Sequence, residues 1–577
     1  MKSSFSAFNE KLVSSKEISS IGTVGTLRLL RGGVAKVLNF IGRALSYTSA
    51  RAYGCFLLSF GIVSLFLDLG EYYFKSNPDV SLYSLILCAV IALLSVPFLM
   101  ISQPICIVFQ DFRLTDRIFF DFFSIKRMHR NTEHASIPPI LAVFLGFIPA
   151  TVGYFLSVEL VFLAMVVLGV VTIAFTSPEF SMILTILFLP YFPLLPHSEL
   201  LLAVMSIITF ISYALKVMVG KRVFNIDVYS ILIFAVMLLA FIGGFVIGDG
   251  KITDSLIFIS LLIAYFPVSN VIINRRLADT VVNAMIVSAI PMTVIAIIEF
   301  IVELPTSSYS PPAYSTPGVS AFFTSPSALA AFILVSAIFT LVFALENKRS
   351  LCFIPYALVF ILEIFVLGIV LEPGAWIAAL FAMLAYTVIK SRRIPLDFLF
   401  LIAVIPHVLY FIPTGAIDAV YNYIGASPSF TEKLSECEGA LGILRENAWF
   451  GTGVGYVESV ANNFLGLGAE LGIPILSLLV ICIVIRFRHL SYYRLYTRNS
   501  LVSQVSDMSG AAIVALLAFG AFDYILSDVT VLYLFITLLA LSSAVLRSAR
   551  RENDDRLGYY GDSSSSDSSA LDVSVNR

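Results

Sequence analysis

Two glutamates, Glu299 and Glu303, stand four residues apart where an apolar run ends, so on a helix they share one face. A carboxylate pair in that position can act as acid and base, or can hold the hydroxyls of a polar substrate where lipid meets water; the bland alternative is a solvated Glu303 and a Glu299 lining a wet crevice. His407 lies near the end of another apolar run, where it could serve as a base facing a cavity or be hydrogen-bonded to structure. Lys433 and Arg445 are cations in the one long polar stretch, residues 413–466. The planar donor fork of Arg445 suits an oxyanion, and the competing role is a local ion pair with Glu438 or Glu446. Glu363 is the acid set deepest in an apolar run, a position suited to a proton or ion relay. The six cysteines are scattered without a C-x-x-C pair, which supports neither a disulfide framework nor a zinc site, and no metal or cofactor is expected.

Apolar helices must position these residues. Of 577 residues 59% are hydrophobic and 13% charged, with a mean hydropathy of +0.94. Soluble globular chains carry about a quarter charged residues, so the expected class is an all-α, polytopic membrane protein. A membrane helix needs roughly 20 apolar residues. Runs of that kind fall near 53–70, 82–101, 140–156, 159–175, 182–195, 200–217, 228–247, 255–273, 281–302, 327–345, 351–371, 374–389, 394–412, 467–486, 508–526 and 529–547. The third to sixth are short and punctuated by Pro178, Pro190, Pro193 and Pro196, so the expectation is about 14–16 transmembrane helices.

Lys and Arg in short loops mark the cytoplasmic side. With the N-terminus inside, Arg113 to Arg130, Lys216 to Arg222, Arg275-Arg276, Lys348-Arg349, Lys390 to Arg393, Arg486 to Arg498 and Arg547 to Arg556 all fall inside. Only Lys75, Lys251, Lys433 and Arg445 of the 36 basic residues fall outside. The sequence therefore predicts a multi-pass plasma-membrane protein with both termini cytoplasmic. Its net charge of −2 offers no case for nucleic acid as a partner. Residues 1–52 read as a cytoplasmic tail or interfacial segment, without a cleavable signal. Residues 53–139 read as two spans and a basic cytoplasmic loop, and residues 140–547 as the main transmembrane domain with outer loops 303–326 and 413–466. Residues 548–577 turn charged and Ser/Asp-rich, the composition of a disordered cytoplasmic tail.

The outer loops carry the most specific pattern. Trp449-Phe450-Gly451-Thr452-Gly453-Val454-Gly455 is followed by Asn462-Asn463-Phe464-Leu465-Gly466-Leu467-Gly468-Ala469-Glu470-Leu471-Gly472, leading into an apolar run. Phe323 to Leu329 and Gly374-Ala375-Trp376 add further matches. Over roughly residues 180 to 545 this order resembles the O-antigen ligase and polymerase superfamily of bacterial envelope glycan enzymes. The resemblance implies a metal-independent glycosyltransferase. It would move or polymerise a polyprenyl-diphosphate-linked glycan at the outer membrane face, in the lipid bilayer and beside other envelope-glycan assembly proteins. It also implies substrate contacts for Asn462, Asn463 and Glu470, while Arg445 and Lys433, the outer cations near the site, are the candidates to hold the diphosphate in place of the family's arginines.

The chain departs from that pattern where chemistry is done. Asn462-Asn463 stands at the family's His-Asn, Glu372-Pro373 at its Ser-Arg, and no arginine lies between Glu303 and Pro326. A neutral amide cannot take a proton from an attacking hydroxyl. Two local readings also stay open: Glu470 could complement the positive end of a helix that it begins, and Gly451, Gly453 and Gly455 could cradle a phosphate or form a flexible connection. Three functions therefore compete: glycan transfer on substitute residues, a catalytically degenerate binder or partner of an envelope-glycan machine, and a transporter or flippase.

Overall fold

The computed structural model describes residues 48–74, 82–123, 127, 137–219, 222–243, 252–272, 275–303, 319–346, 353–370, 372–391, 430–455, 460, 462–493 and 500–547. Residues 1–47 and 548–577 of the expected tails, the span 394–412 and His407 lie outside the described residues, while Ala50–Ala52 of the expected N-terminal segment already belong to the first helix. Among those described, the regular structure is helical and contains no β-strand. Eight helices are long and apolar enough to cross a membrane, and shorter apolar helices stand at the remaining described spans. Helices suit such a chain because each satisfies its own backbone hydrogen bonds where no water can.

Two compact units share the chain: residues 1–181 with 211–224, and residues 182–210 with 225–577. In the first unit, α1 (Ala50–Phe74) packs on α2 (Leu82–Leu99). The short α3 (Ile105–Asp111) and a π-helical turn (Asp116–Phe122) lead to α4 (Pro139–Phe155), which packs on α1, and to α5 (Val158–Thr176). Phe60, Cys88, Ile91, Ala150, Val158 and Val161 form the core of this unit. Ser157 caps α5 by accepting from the Leu160 amide at 3.3 Å. Glu179 accepts from Lys216 at 2.8 Å and pairs with Arg222, so this buried carboxylate is matched by two cations.

Both α6 (Pro178–Phe188) and α7 (Ser198–Met218) contribute residues to the two units. After Phe188 the chain tightens into a 3-10 turn, Leu189–Leu194, because Pro190 and Pro193 lack the amides that an α-helix needs.

The second unit continues with α8 (Val228–Ile242), α9 (Ile252–Ile263), α10 (Tyr265–Val271), α11 (Arg275–Glu303), α12 (Pro326–Glu346), α13 (Phe353–Val370), α14 (Pro373–Ser391), α15 (Phe430–Glu446), α16 (Asn463–Leu471), α17 (Ile473–Tyr493), α18 (Ser500–Phe519) and α19 (Val529–Arg547). At its centre are α12 and α19, each almost wholly buried. Against α12 pack α11, α13 and α18, and α14 packs on α18.

Two expected spans prove to be broken and a third is kinked. The 255–273 run forms one candidate span, Ile252–Val271, that kinks at Ala264, because Pro267 offers no amide to the Ile263 carbonyl four residues back and its ring crowds it. The 467–486 run divides at Gly472, whose φ of +84° lies outside the helical region, and Pro474 then fits the first turn of α17. The 508–526 run stops at Phe519, and residues 520–528 turn back through a 3-10 segment, Ile525–Ser527.

The two ends of this unit collect different residues. At one end, Asp227 caps α8 and accepts from Ser543 at 2.8 Å, Tyr265 donates to Ser543 at 3.0 Å, and Arg547 reaches Asp227 and the Ser269 carbonyl. At the other end stand Glu299, Thr324, Asn463, Glu470, Tyr524 and Asp528.

Candidate functional site

The Glu470 end brings together four stretches far apart in sequence: 319–326 before α12, 448–455 after α15, 462–472 around α16, and 520–528 between α18 and α19. Asn462 begins α16 as its cap. Its Oδ1 accepts from the amides of Phe464 at 2.8 Å and Leu465 at 3.3 Å, and its Nδ2 donates to the Ala521 carbonyl at 3.1 Å. Asn463 clasps the next turn from both sides. Its amide donates to the Gly520 carbonyl at 2.6 Å, and its Oδ1 accepts from the Leu526 amide at 3.0 Å. Asn463 is buried, and its Nδ2 has no hydrogen-bond partner among the described residues.

Glu470 does not begin a membrane helix. It is the penultimate residue of the nine-residue α16, and it is buried. Its Oε2 accepts from the Tyr524 hydroxyl at 2.8 Å and its Oε1 from the Gly455 amide at 3.2 Å. Burial and the adjacent Glu470 carboxylate push the Tyr524 hydroxyl well above the ordinary tyrosine range. The expected favourable position at a positive helix end is therefore replaced by a buried carboxylate with its own donors.

The glycines of the 451–455 segment belong to the same lock. Gly451, Gly453 and Gly455 all have positive φ. Thr452 donates its amide to the Ala469 carbonyl at 3.0 Å, Gly453 to the Glu470 carbonyl at 2.9 Å, and Ile473 to the Ala448 carbonyl at 2.9 Å. The amides of Gly453 and Gly455 are thus engaged with Glu470 and do not form a vacant phosphate cradle.

The preceding stretch joins through Thr324, whose hydroxyl donates to Asp528 Oδ2. Asp528 Oδ1 also caps α19, accepting from Thr530 at 2.8 Å and Val531 at 3.2 Å. Ser325 caps α12 through the Ala328 amide at 3.2 Å, and Phe323 packs on Phe332. The half-buried Glu299 accepts from the Ala321 amide at 2.7 Å, tying α11 to the same stretch. The backbone of Glu303 ends α11, and its side chain lies outside the described residues.

The expected diphosphate-binding cations stand on α15. The backbone of Lys433 lies in that helix, and its side chain is outside the described residues. Arg445 is exposed in the last turn, and Trp449, just beyond the helix, is 75% exposed. Gly374 packs on the Phe519 ring at the start of α14. Tyr524 carried no sequence signal of its own, because its partner Glu470 lies 54 positions away; Asp528 stands where a helix cap is expected, but its contact with Thr324 spans 204 positions. Among the described residues, no group of three or more His, Cys, Asp or Glu side chains could hold a metal ion.

The fold and this junction define an all-α, polytopic membrane protein whose polar end is built from interlocked connections between helices. No family model matches the chain, and no curated protein matches it either.

Proposed function

We propose that this chain is an O-antigen ligase-like plasma-membrane protein that binds a polyprenyl-diphosphate-linked glycan at the outer face without transferring it through the residues at the family's positions. Loop charges support the assignment of the Glu470 end to the outer face. One observation carries the choice of binding over transfer. Asn462, Asn463 and Glu470, the residues at the motif positions, direct their side chains to hydrogen bonds within the fold. None of them is a base presented to a substrate hydroxyl. The exposed Arg445 and Trp449 on and beside α15 supply a cation for phosphate and an apolar ring for the lipid boundary.

The test is a single-turnover experiment on the full-length protein in nanodiscs with polyprenyl-diphosphate oligosaccharides, reading bound lipid and elongated or transferred product separately. Bound lipid without product is expected. Product formation would overturn the degenerate reading in favour of transfer on substitute residues. Absence of both would overturn the glycan-lipid reading itself.

A further inference from the structure

A second polar site lies between α12 and α13 and shares no residue with the Glu470 junction. Glu363 is fully buried near the middle of α13. With Val366, Leu367 and Val370 it forms the buried face of that helix, while Ile354, Leu358, Ile361 and Phe365 are exposed on the opposite face. Ser336 and Thr340, one turn apart on α12, each donate a hydroxyl to one carboxyl oxygen: Ser336 to Oε1, and Thr340 to Oε2 at 2.6 Å.

Among the described residues, no charged side chain pairs with this carboxyl, and the helices packed most heavily on α13 are α11 and α12. Residues 280–298 of α11 and 327–345 of α12 include no ionisable side chain. The charged residues of these helices, Arg275, Arg276, Asp279, Glu299, Glu303 and Glu346, stand toward their ends. Tyr356, two turns along α13, directs its hydroxyl to Asn283 Oδ1 at 3.3 Å. An ionised Glu363 would therefore be an uncompensated charge inside the bilayer, which is strongly disfavoured.

The hydroxyl geometry accommodates a proton without loss of a hydrogen bond. Thr340 Oγ1 lies 3.1 Å from both the Ser336 and Ala337 carbonyls. When the carboxyl carries its proton on Oε2, that O–H donates to Thr340 Oγ1. The Thr340 hydroxyl turns to a helix carbonyl, and Ser336 continues to donate to Oε1. When the proton leaves, both hydroxyls donate to the carboxylate. The carboxyl O–H bond breaks as the departing proton forms an O–H bond to a water molecule, giving hydronium, and the reverse transfer reloads the site; nothing is oxidised or reduced.

We propose that Glu363, Ser336 and Thr340 form an intramembrane proton-binding site, and that its resident proton holds α13 against α12. The site is independent of the glycan-lipid reading, and neither depends on the outcome for the other.

Infrared difference spectroscopy on the full-length protein in nanodiscs, wild type minus Glu363→Gln, tests this. The expected result at neutral pH is a protonated carboxylic carbonyl band that belongs to Glu363 and is insensitive to sodium or potassium at constant pH. Glu363→Gln, which mimics the neutral acid, should melt at the wild-type temperature. If that variant does not fold, Thr340→Val and Ser336→Ala supply the assignment, because each should shift the band by removing one hydroxyl. An ionised Glu363 at neutral pH, loss of the band on adding an alkali cation, or a band unmoved by both hydroxyl variants would overturn the proposal.

Discussion

Asn463 donates its backbone N–H to the carbonyl of Gly520 at 2.6 Å, while its side chain fills the space that a side chain at position 520 would need. A Cβ on Gly520 would fall 1.8 Å from Asn463 Nδ2. The pair joins the start of α16 to the end of α18 and sets the direction of the 520–528 turn, on which Tyr524 and Asp528 depend.

Gly520→Ala should therefore destabilise the protein by at least about 1–3 kcal/mol, the usual cost of overpacking a filled site. Thermal unfolding in nanodiscs checks this against Gly442→Ala on α15. A Cβ there meets nothing within 4 Å, and the substitution should be neutral or stabilising by roughly 0.5–1 kcal/mol. Equal melting temperatures for the two variants would mean that the Asn463–Gly520 contact is not close-packed in the membrane.

Tyr524→Phe removes the hydroxyl that Glu470 Oε2 accepts and should cost about 1–3 kcal/mol, because a buried carboxylate loses a donor. The pH dependence has a definite sign. Tyr524 titrates above the ordinary tyrosine range, so its protonated, donating form is the one present at neutral pH, and its stabilisation declines only as strongly alkaline pH drives ionisation. Ultraviolet titration of wild type and Tyr524→Phe should give superimposable tyrosinate curves through about pH 10, where ordinary tyrosines ionise. A missing tyrosinate signal in the variant over that range would contradict the burial of this hydroxyl.

Asp528 holds two elements at once, as the cap of α19 and the acceptor for Thr324. Asp528→Ala should cost about 0.5–2 kcal/mol, whereas Asp528→Asn, which retains a capping oxygen, should retain most of the stability. Chemical or thermal denaturation of the two variants separates the cap from the charge.

Arg445 is exposed, so Arg445→Ala should change stability by less than about 0.5 kcal/mol. If it contacts the diphosphate, binding of polyprenyl-diphosphate glycan should weaken and become less sensitive to salt. Binding titrations at two ionic strengths read this directly. Unchanged affinity and salt dependence would remove Arg445 from the binding surface.

The sequence by itself determined the class of the protein and the placement of most apolar helices. Long apolar runs in a chain with 13% charged residues leave the backbone no partner except its own carbonyls, and that constraint is local.

Only the tertiary structure decided what the polar residues do. Residues 467–486 are continuously apolar enough to suggest one span, but the carbonyl of Trp449 lies where a Cβ on Gly472 would go, and the chain breaks there. Asn463 was expected to contact substrate, yet its partners are 57 and 63 residues away, at Gly520 and Leu526. Glu470 is bound by Tyr524, and Glu363 by two hydroxyls of a neighbouring helix. Hydrophobic length is a property of neighbours in sequence. The state of a buried polar group is set by whichever distant donors packing brings within about 3 Å, so it could be read only once the helices were in place.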